Sequence, residues 1–307
     1  MSDEELKARI AQALDENRYY PMNDVLFKFV FGKVERKNIT IDFLNSVLEP
    51  SLGHSIKDIR FISTEIIPQS EEEKLSRLDV ACELDTGERI DVEVQVVNYH
   101  NMQRRTLYYW SGMYLMHLLK GEDYQQLRPV ITINILAFRL LPQEEPHAMY
   151  GVYNLKTGER LNNDLEIHFL EIPKFINKPV KNMTKMERWI AYFSGKLNLR
   201  EKEELAMSEA AIHDAFDATQ LFFQTKEDRL KYLNRQMAIM DYRSGLRWAK
   251  DHGEERMARL ANAMKEAGRI DEFFKAASDP ILREQLFQEF HLDDFEEDGI
   301  DDTDIPM

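Results

Sequence analysis

The stretch Leu75 to Val97, LSRLDVACELDTGERIDVEVQVV, limits what this chain can fold into more than any other, because two period-two patterns meet there around one turn. In the first run Leu78, Val80, Cys82 and Leu84 share one face and Arg77, Asp79, Ala81 and Glu83 the other. In the second run Ile90, Val92, Val94 and Val96 are the apolar set and Asp91, Glu93 and Gln95 the polar one. Both read as half-buried strands.

The turn decides their register. A two-residue loop at Thr86-Gly87 sets Asp79 opposite Val94 and every apolar residue across from a polar one, which the one-residue register rule penalises. A three-residue loop, Asp85-Thr86-Gly87, with glycine at the left-handed position, pairs Val80 with Val92 and Cys82 with Ile90. It also sets Asp79 opposite Glu93. Two carboxylates facing each other across a strand pair, with Cβ atoms roughly 5 Å apart, repel unless something positive sits between them. A divalent cation is the natural candidate, and oxygen ligands point to a hard ion such as magnesium or manganese.

Asp79 on one strand and Glu93-Val94-Gln95 on the next resemble the Asp…Glu-x-Lys site of the PD-(D/E)XK nucleases. The closest likeness is to the recombination-promoting nuclease and transposase family, in which glutamine stands where the wider superfamily has lysine. Four other stretches are similar to that family: NDVLFKFVFG at 23 to 32, RRTLYYWSGMYLMHL at 104 to 118, YQQLRPVITINILAF at 124 to 138 and LEIHFLEIPKF at 165 to 175. The likeness covers most of residues 19 to 245.

The resemblance implies an α/β fold: a restriction-endonuclease-like core with a mixed central sheet flanked by helices, followed by an α-helical C-terminal region. It implies a Mg²⁺-dependent DNA endonuclease, with Mn²⁺ as a substitute, and Asp79, Glu93 and Gln95 as the catalytic triplet. The ion's ligands would be Asp79, Glu93 and the backbone carbonyl of Val94, and water bound to it would have a lowered pKa and attack the phosphodiester. Gln95 is neutral and can only hydrogen-bond, which shifts more of the work to the metal. Asp24 and Lys28 belong to the family's recurrent opening-helix pattern. Glu65 is an acid of the kind that joins such sites from a neighbouring strand. Arg104 or Arg105, on the helix after the hairpin, is placed to hold a phosphate. Each has a plainer reading: Asp24 as a helix cap, Glu65 as a solvent-facing strand residue, the arginines as surface charges.

The 307 residues suffice for one large domain or two modest ones with a real core, and a 43% hydrophobic content is ordinary for a globular protein. With no long apolar run and no charged-then-apolar leader, a cytoplasmic protein without a membrane span is expected. The single cysteine, Cys82, lies on the apolar strand face and reads as a buried core thiol. A net charge of −15 is unfavourable to DNA binding, but residues 289 to 307 hold nine acids and no Lys or Arg. The remaining 46 acidic and 40 basic residues leave −6.

Five segments are expected. Residues 1–18 form a charged arm, 19–180 the nuclease-like core, 181–250 a helical extension, 251–292 a small helical module and 293–307 an acidic tail too poor in apolar residues to fold alone. The core opens with a helix capped by Asn23 or Asp24, then a helix over Asn38 to Leu48 stopped by Pro50. Ile59 to Ile67 reads as the first strand, and Pro68 to Lys74 as a solvated turn. Met102 to Lys120 reads as a helix with Leu107, Trp110, Tyr114 and Leu118 buried and Gly121 as its end. Pro129 to Phe138 is a strong buried strand, with weaker ones at Met149 to Asn154 and Leu165 to Glu171. Thr184-x-x-Glu187 is a capping box, followed by helices over 203–223 and 226–250 and a pair of short helices after His252-Gly253.

The eight histidines show no HExxH spacing, one cysteine rules out a Cys-rich zinc site, and there is no Gly-rich phosphate loop or GxSxG elbow. The expected partners are DNA, a second copy of the chain, and a protein partner for the C-terminal module. The alternative to a nuclease is a fold relative that binds DNA or protein without cutting.

Overall fold

The computed structural model describes residues 19–66, 76–116, 121–290 and 292, with residues 246–251 described by their backbone alone. The expected arm at 1–18, the turn at 68–74 and the tail at 293–307 lie outside the described residues. The chain divides into two compact units, Met1–Ile239 and Met240–Met307, taken here in turn.

The first unit is built on a mixed sheet. Its strands are β1 (Ile59–Phe61), β4 (Val80–Leu84), β5 (Arg89–Gln95), β6 (Val130–Leu136), β7 (His147–Gly151) and β8 (Leu165–Glu171), in the order β1-β4-β5-β6-β8-β7. The short strands β2 (Glu65–Ile66) and β3 (Ser76–Arg77) form a separate antiparallel ribbon. The β4/β5 hairpin has the three-residue turn: Val80 pairs with Val92, Cys82 with Ile90, and Gly87 takes a positive φ of 102°. Strand β6 is parallel to both β5 and β8, so it is hydrogen-bonded on both sides and buried along its whole length.

Helices cover both faces. On one side Val80, Cys82, Ile90, Val92, Val94, Ile131, Ile133 and Ile135 pack into the main core. Against them lie α1 (Asp24–Phe31), α2 (Lys37–Leu52), α4 (Lys185–Ser194), α5 (Leu199–Ser208) and α6 (Ala210–Phe222). Phe31, Phe43 and Trp189 interlock there, with Phe31 and Phe43 rings each meeting the indole edge-to-face at 5.6 and 5.8 Å. On the other side α3 (Met102–Leu115) covers the hairpin and β6. Strands β4 and β5 are therefore buried on both faces rather than half-buried, because the face carrying Asp91, Glu93 and Gln95 lies under α3 instead of water.

Several boundaries differ from expectation. Helix α2 does not stop at Leu48 but runs through Pro50 to Leu52 and closes on Gly53 at φ 73°; the proline forfeits one backbone hydrogen bond but does not end the helix. The first strand breaks after Phe61, at the polar pair Ser63-Thr64, and Glu65 resumes on the β2/β3 ribbon. The buried stripe of α3 is Met102, Thr106, Tyr109 and Met113, leaving Leu107 exposed. Residues 117–120 lie outside the described residues. What reads as one helix over 203–223 is two, parted by extended backbone at Glu209.

Helix α7 (Lys226–Glu266) begins in the first unit and continues in the second, passing through His252-Gly253, where a glycine costs a helix only about 1 kcal/mol. In the first unit its opening turns reach the start of the fold: Tyr20 N–H donates to Tyr232 Oη at 2.9 Å. In the second unit α8 (Ile270–Ser278) and α9 (Pro280–Glu289) join the later part of α7 around Leu260, Met264, Ala276, Leu286 and Phe287. Asp279 caps α9. Among the described residues no helix is long and apolar enough to cross a membrane.

Candidate active site

Four elements converge on the open end of the β4/β5 hairpin. Asn23 caps α1, its Oδ1 accepting from the N–H groups of Val25 and Leu26. Burial of Leu26, Phe27, Val30 and Phe31 then leaves Asp24 and Lys28, one turn apart, on the stripe turned from the core. Lys28 Nζ lies 2.9 Å from Asp79 Oδ1. Asp24 pairs with Arg235 at 2.8 Å and is near enough for its charge to help raise Asp79.

Asp79 and Glu93 are cross-laced through the backbone. Glu93 Oε1 accepts from Asp79 N–H at 2.8 Å, and Asp79 Oδ2 accepts from Val94 N–H at 3.0 Å. The second oxygen of Glu93 meets Arg105 Nη2 at 3.2 Å. Arg105 is itself held by Gln95 Oε1 at 2.9 Å and by Tyr109 Oη at 3.0 Å, with its guanidinium over the Tyr109 ring. Gln95 spends its other end on the Val97 carbonyl at 2.9 Å, so both ends of its amide are taken by the chain.

Burial dominates the electrostatics. It raises Asp79, against the pull of the Lys28 charge and the Val94 N–H. Burial, followed by the nearby Asp79 charge, pushes Glu93 up to about 8 although Arg105 opposes it. Burial would lower Arg105, but Glu93 and Tyr109 outweigh it and raise the guanidinium further. The site as it stands therefore has more carboxylate than its two cations can keep ionised.

That excess is what a divalent ion relieves. The donor set is hard: two carboxylates, plus the Val94 carbonyl, which shares the strand edge of the Val94 N–H that reaches Asp79. Among the described residues no three His, Cys, Asp or Glu side chains converge as a ready cage. Two carboxylates and a carbonyl are donors for a hard divalent ion that keeps several of its waters, and the residues present fit such an ion provided Lys28 and Arg105 yield part of their hold.

Of the remaining expected residues, Arg104 is exposed and does not face the acids, whereas Arg105 does. Glu65 is not brought to the site: it lies on the β2/β3 ribbon and pairs with Arg77 at 2.5 Å. A third acid, Asp91, stands beside the pair without a role in the hairpin's sequence pattern. It is fully buried on the same face as Glu93, both its oxygens lack a hydrogen-bond partner, and burial followed by the Glu93 and Asp79 charges raises it well above the usual carboxylate range. Thr132 and Asn134, opposite Asp91 and Glu93 on β6, continue this buried polar patch, and Asn134 Nδ2 donates to Thr106 Oγ1 on α3 at 3.0 Å. Its place in the alternating polar set of β5 was the signal; nothing local says that the set is covered.

The family model described as PD-(D/E)XK nuclease family transposase matches residues 21–249. No curated protein and no solved structure matches the chain.

Proposed function

This chain belongs to the PD-(D/E)XK nuclease family transposases, and from that premise we propose that it is a Mg²⁺-dependent DNA endonuclease with Asp79 and Glu93 at its centre. The superfamily is one of nucleases that generally use divalent metals. The observation that carries the finer reading is the cross-laced pair, buried Glu93 and largely covered Asp79, both raised and each bonded to a backbone N–H of the other's strand.

A bound ion would polarise the scissile phosphoryl oxygen and lower the pKa of an attacking water. Asp79, Glu93 and the Val94 carbonyl would hold it. Lys28 stands where a cation can offset charge on the reacting phosphate, the part that Gln95 cannot take because it is neutral and fully engaged. Gln95 acts as a positioning residue, fixing Arg105 against Glu93, and Arg105 would donate to a phosphate oxygen where Glu93 served the ion. Such cleavage suits promotion of recombination, a mobile element or genome defence.

One observation favours a second reading, a nuclease-fold protein that binds DNA or a protein partner without cutting: all four oxygens of the acid pair already accept hydrogen bonds from the chain. Plasmid nicking at low salt in Mg²⁺ and in Mn²⁺ separates the two. Cleavage is expected from the wild type, with Asp79→Ala and Glu93→Ala each lowering it by about 100-fold or more, as befits loss of several kcal/mol of metal-borne stabilisation. Folded wild type that cuts in neither metal moves the assignment to the binding reading.

A further inference from the structure

Beside Asp79 the first unit has an open cleft of about 360 Å³, within the roughly 300–1,000 Å³ range of ligand pockets. Its walls combine two chemistries. Lys28, Lys33 and Lys231 reach it from α1, from the turn after α1 and from α7, with Asp228 beside them, and half-buried Phe61 supplies aromatic surface next to Phe29, whose ring already has the Arg36 guanidinium 4.3 Å over it. Lys231 is partly neutralised by Glu227 at 2.8 Å and Asp228 at 3.6 Å, whereas exposed Lys33 is paired with no acid among the described residues. Asp79 forms part of the wall, so whatever fills the cleft abuts one member of the acid pair.

Cations beside aromatic rings are what a nucleotide requires: phosphate oxygens for the lysines and a base face for the rings. In duplex DNA the base faces are hidden in the stack, so a base that meets Phe29 or Phe61 has left it. We infer that this cleft is a subsite for an unstacked, single-stranded nucleotide next to the scissile phosphate, its backbone on Lys33 and Lys231 and its base against Phe61. The inference rests on the nuclease reading for the word scissile; the nucleotide chemistry stands on the cleft alone. It makes the substrate single-stranded DNA, or duplex opened at the cutting point, rather than intact helix.

The test uses the full chain in EDTA and a labelled oligothymidylate, compared with a blunt duplex of the same length by fluorescence anisotropy. The single strand is expected to bind the more tightly. Phe61→Leu should weaken it roughly tenfold through lost stacking. Lys33→Ala with Lys231→Ala, both exposed positions that leave the core intact, should reduce the slope of log affinity against log salt by roughly 0.7 for each lysine. Wild type that binds no oligothymidylate, or cleft variants that bind it as the wild type does, overturns the inference. Metal-dependent nicking on the same preparations keeps the two readings apart. Cleavage lost in Asp79→Ala but unchanged binding in the cleft variants would leave the nuclease standing and remove the subsite. Wild type that never cuts, with oligothymidylate binding lost in the cleft variants, would do the reverse.

Discussion

Glu93 keeps its proton up to about pH 8 in the folded chain, whereas an unfolded glutamate gives it up near pH 4.3. Between those values the folded state binds the extra proton, so this group favours folding most at low pH and its contribution is lost as pH rises through 8. The metal-free protein should therefore melt at a lower temperature at pH 8.5 than at pH 6. Glu93→Gln, which cannot ionise, should flatten most of that slope. A divalent ion held by Glu93, as proposed, would compete with the same proton. Calorimetric titration with Mn²⁺ in two buffers of different ionisation enthalpy should thus show proton release at pH 7 and tighter binding at pH 8. A melting temperature indifferent to pH in the wild type, or binding without proton release, would mean that Glu93 is already ionised and that the site has no vacancy of charge for a cation to fill. Asp91 sharpens the point, because its unpartnered oxygens are tolerable only in the neutral form.

At the scale of elements the loop between β6 and β7 is fastened by a buried ion pair. Glu171, at the end of β8, and Lys174, three residues on, are each about 1% exposed and lie 2.5 Å apart. Lys174 Nζ also donates to the Leu141 carbonyl at 2.8 Å, and Glu171 Oε1 accepts from the N–H groups of Leu140 and Leu141. Lys174→Met leaves the carboxylate buried without its cation and should lower stability by about 3–5 kcal/mol in urea unfolding, with Glu171→Leu added to it restoring part of the loss. A change below about 1 kcal/mol would show the pair to be open to water. None of this was legible in LEIHFLEIPKF, where Glu171 and Lys174 look like ordinary surface charges. The hairpin, by contrast, was legible to the residue, because alternation and Gly87 are local signals that admit one register. So was the Thr184/Glu187 capping box, whose two hydrogen bonds lie within four residues. What escaped was set by distant partners. Alternation shows that one face of β5 is apolar and cannot show that α3 covers the other. Lys28 meets Asp79 across 51 positions of sequence, and Asp24 meets Arg235 across 211.

For the whole molecule the problem is charge. A polyanion is the proposed substrate of a chain with net charge −15, and eight of its acids lie in residues 293–307. Repulsion between like charges in solvent reaches about 10 Å at 0.1 M salt and about 30 Å at 0.01 M, so an excess of acids should hinder encounter with DNA mainly in dilute buffer. Deleting 293–307 should accordingly raise the nicking rate severalfold at low salt and leave it nearly unchanged near 0.3 M, a pattern to be read from initial rates over a salt series. Two physical causes share that outcome: general repulsion, and occupation of the cation-lined cleft by the acids as a mimic of DNA phosphate. A synthetic peptide of the same fifteen residues, added to the truncated protein, distinguishes them. Inhibition that weakens with Lys33→Ala and Lys231→Ala would assign the acids to the cleft, since a diffuse field has no reason to depend on two particular lysines. A peptide without effect would leave repulsion as the cause. Equal rates with and without the segment at every salt concentration would show that these charges do not meet the DNA path at all, and the acidity of the chain would then bear on its solubility rather than on its substrate.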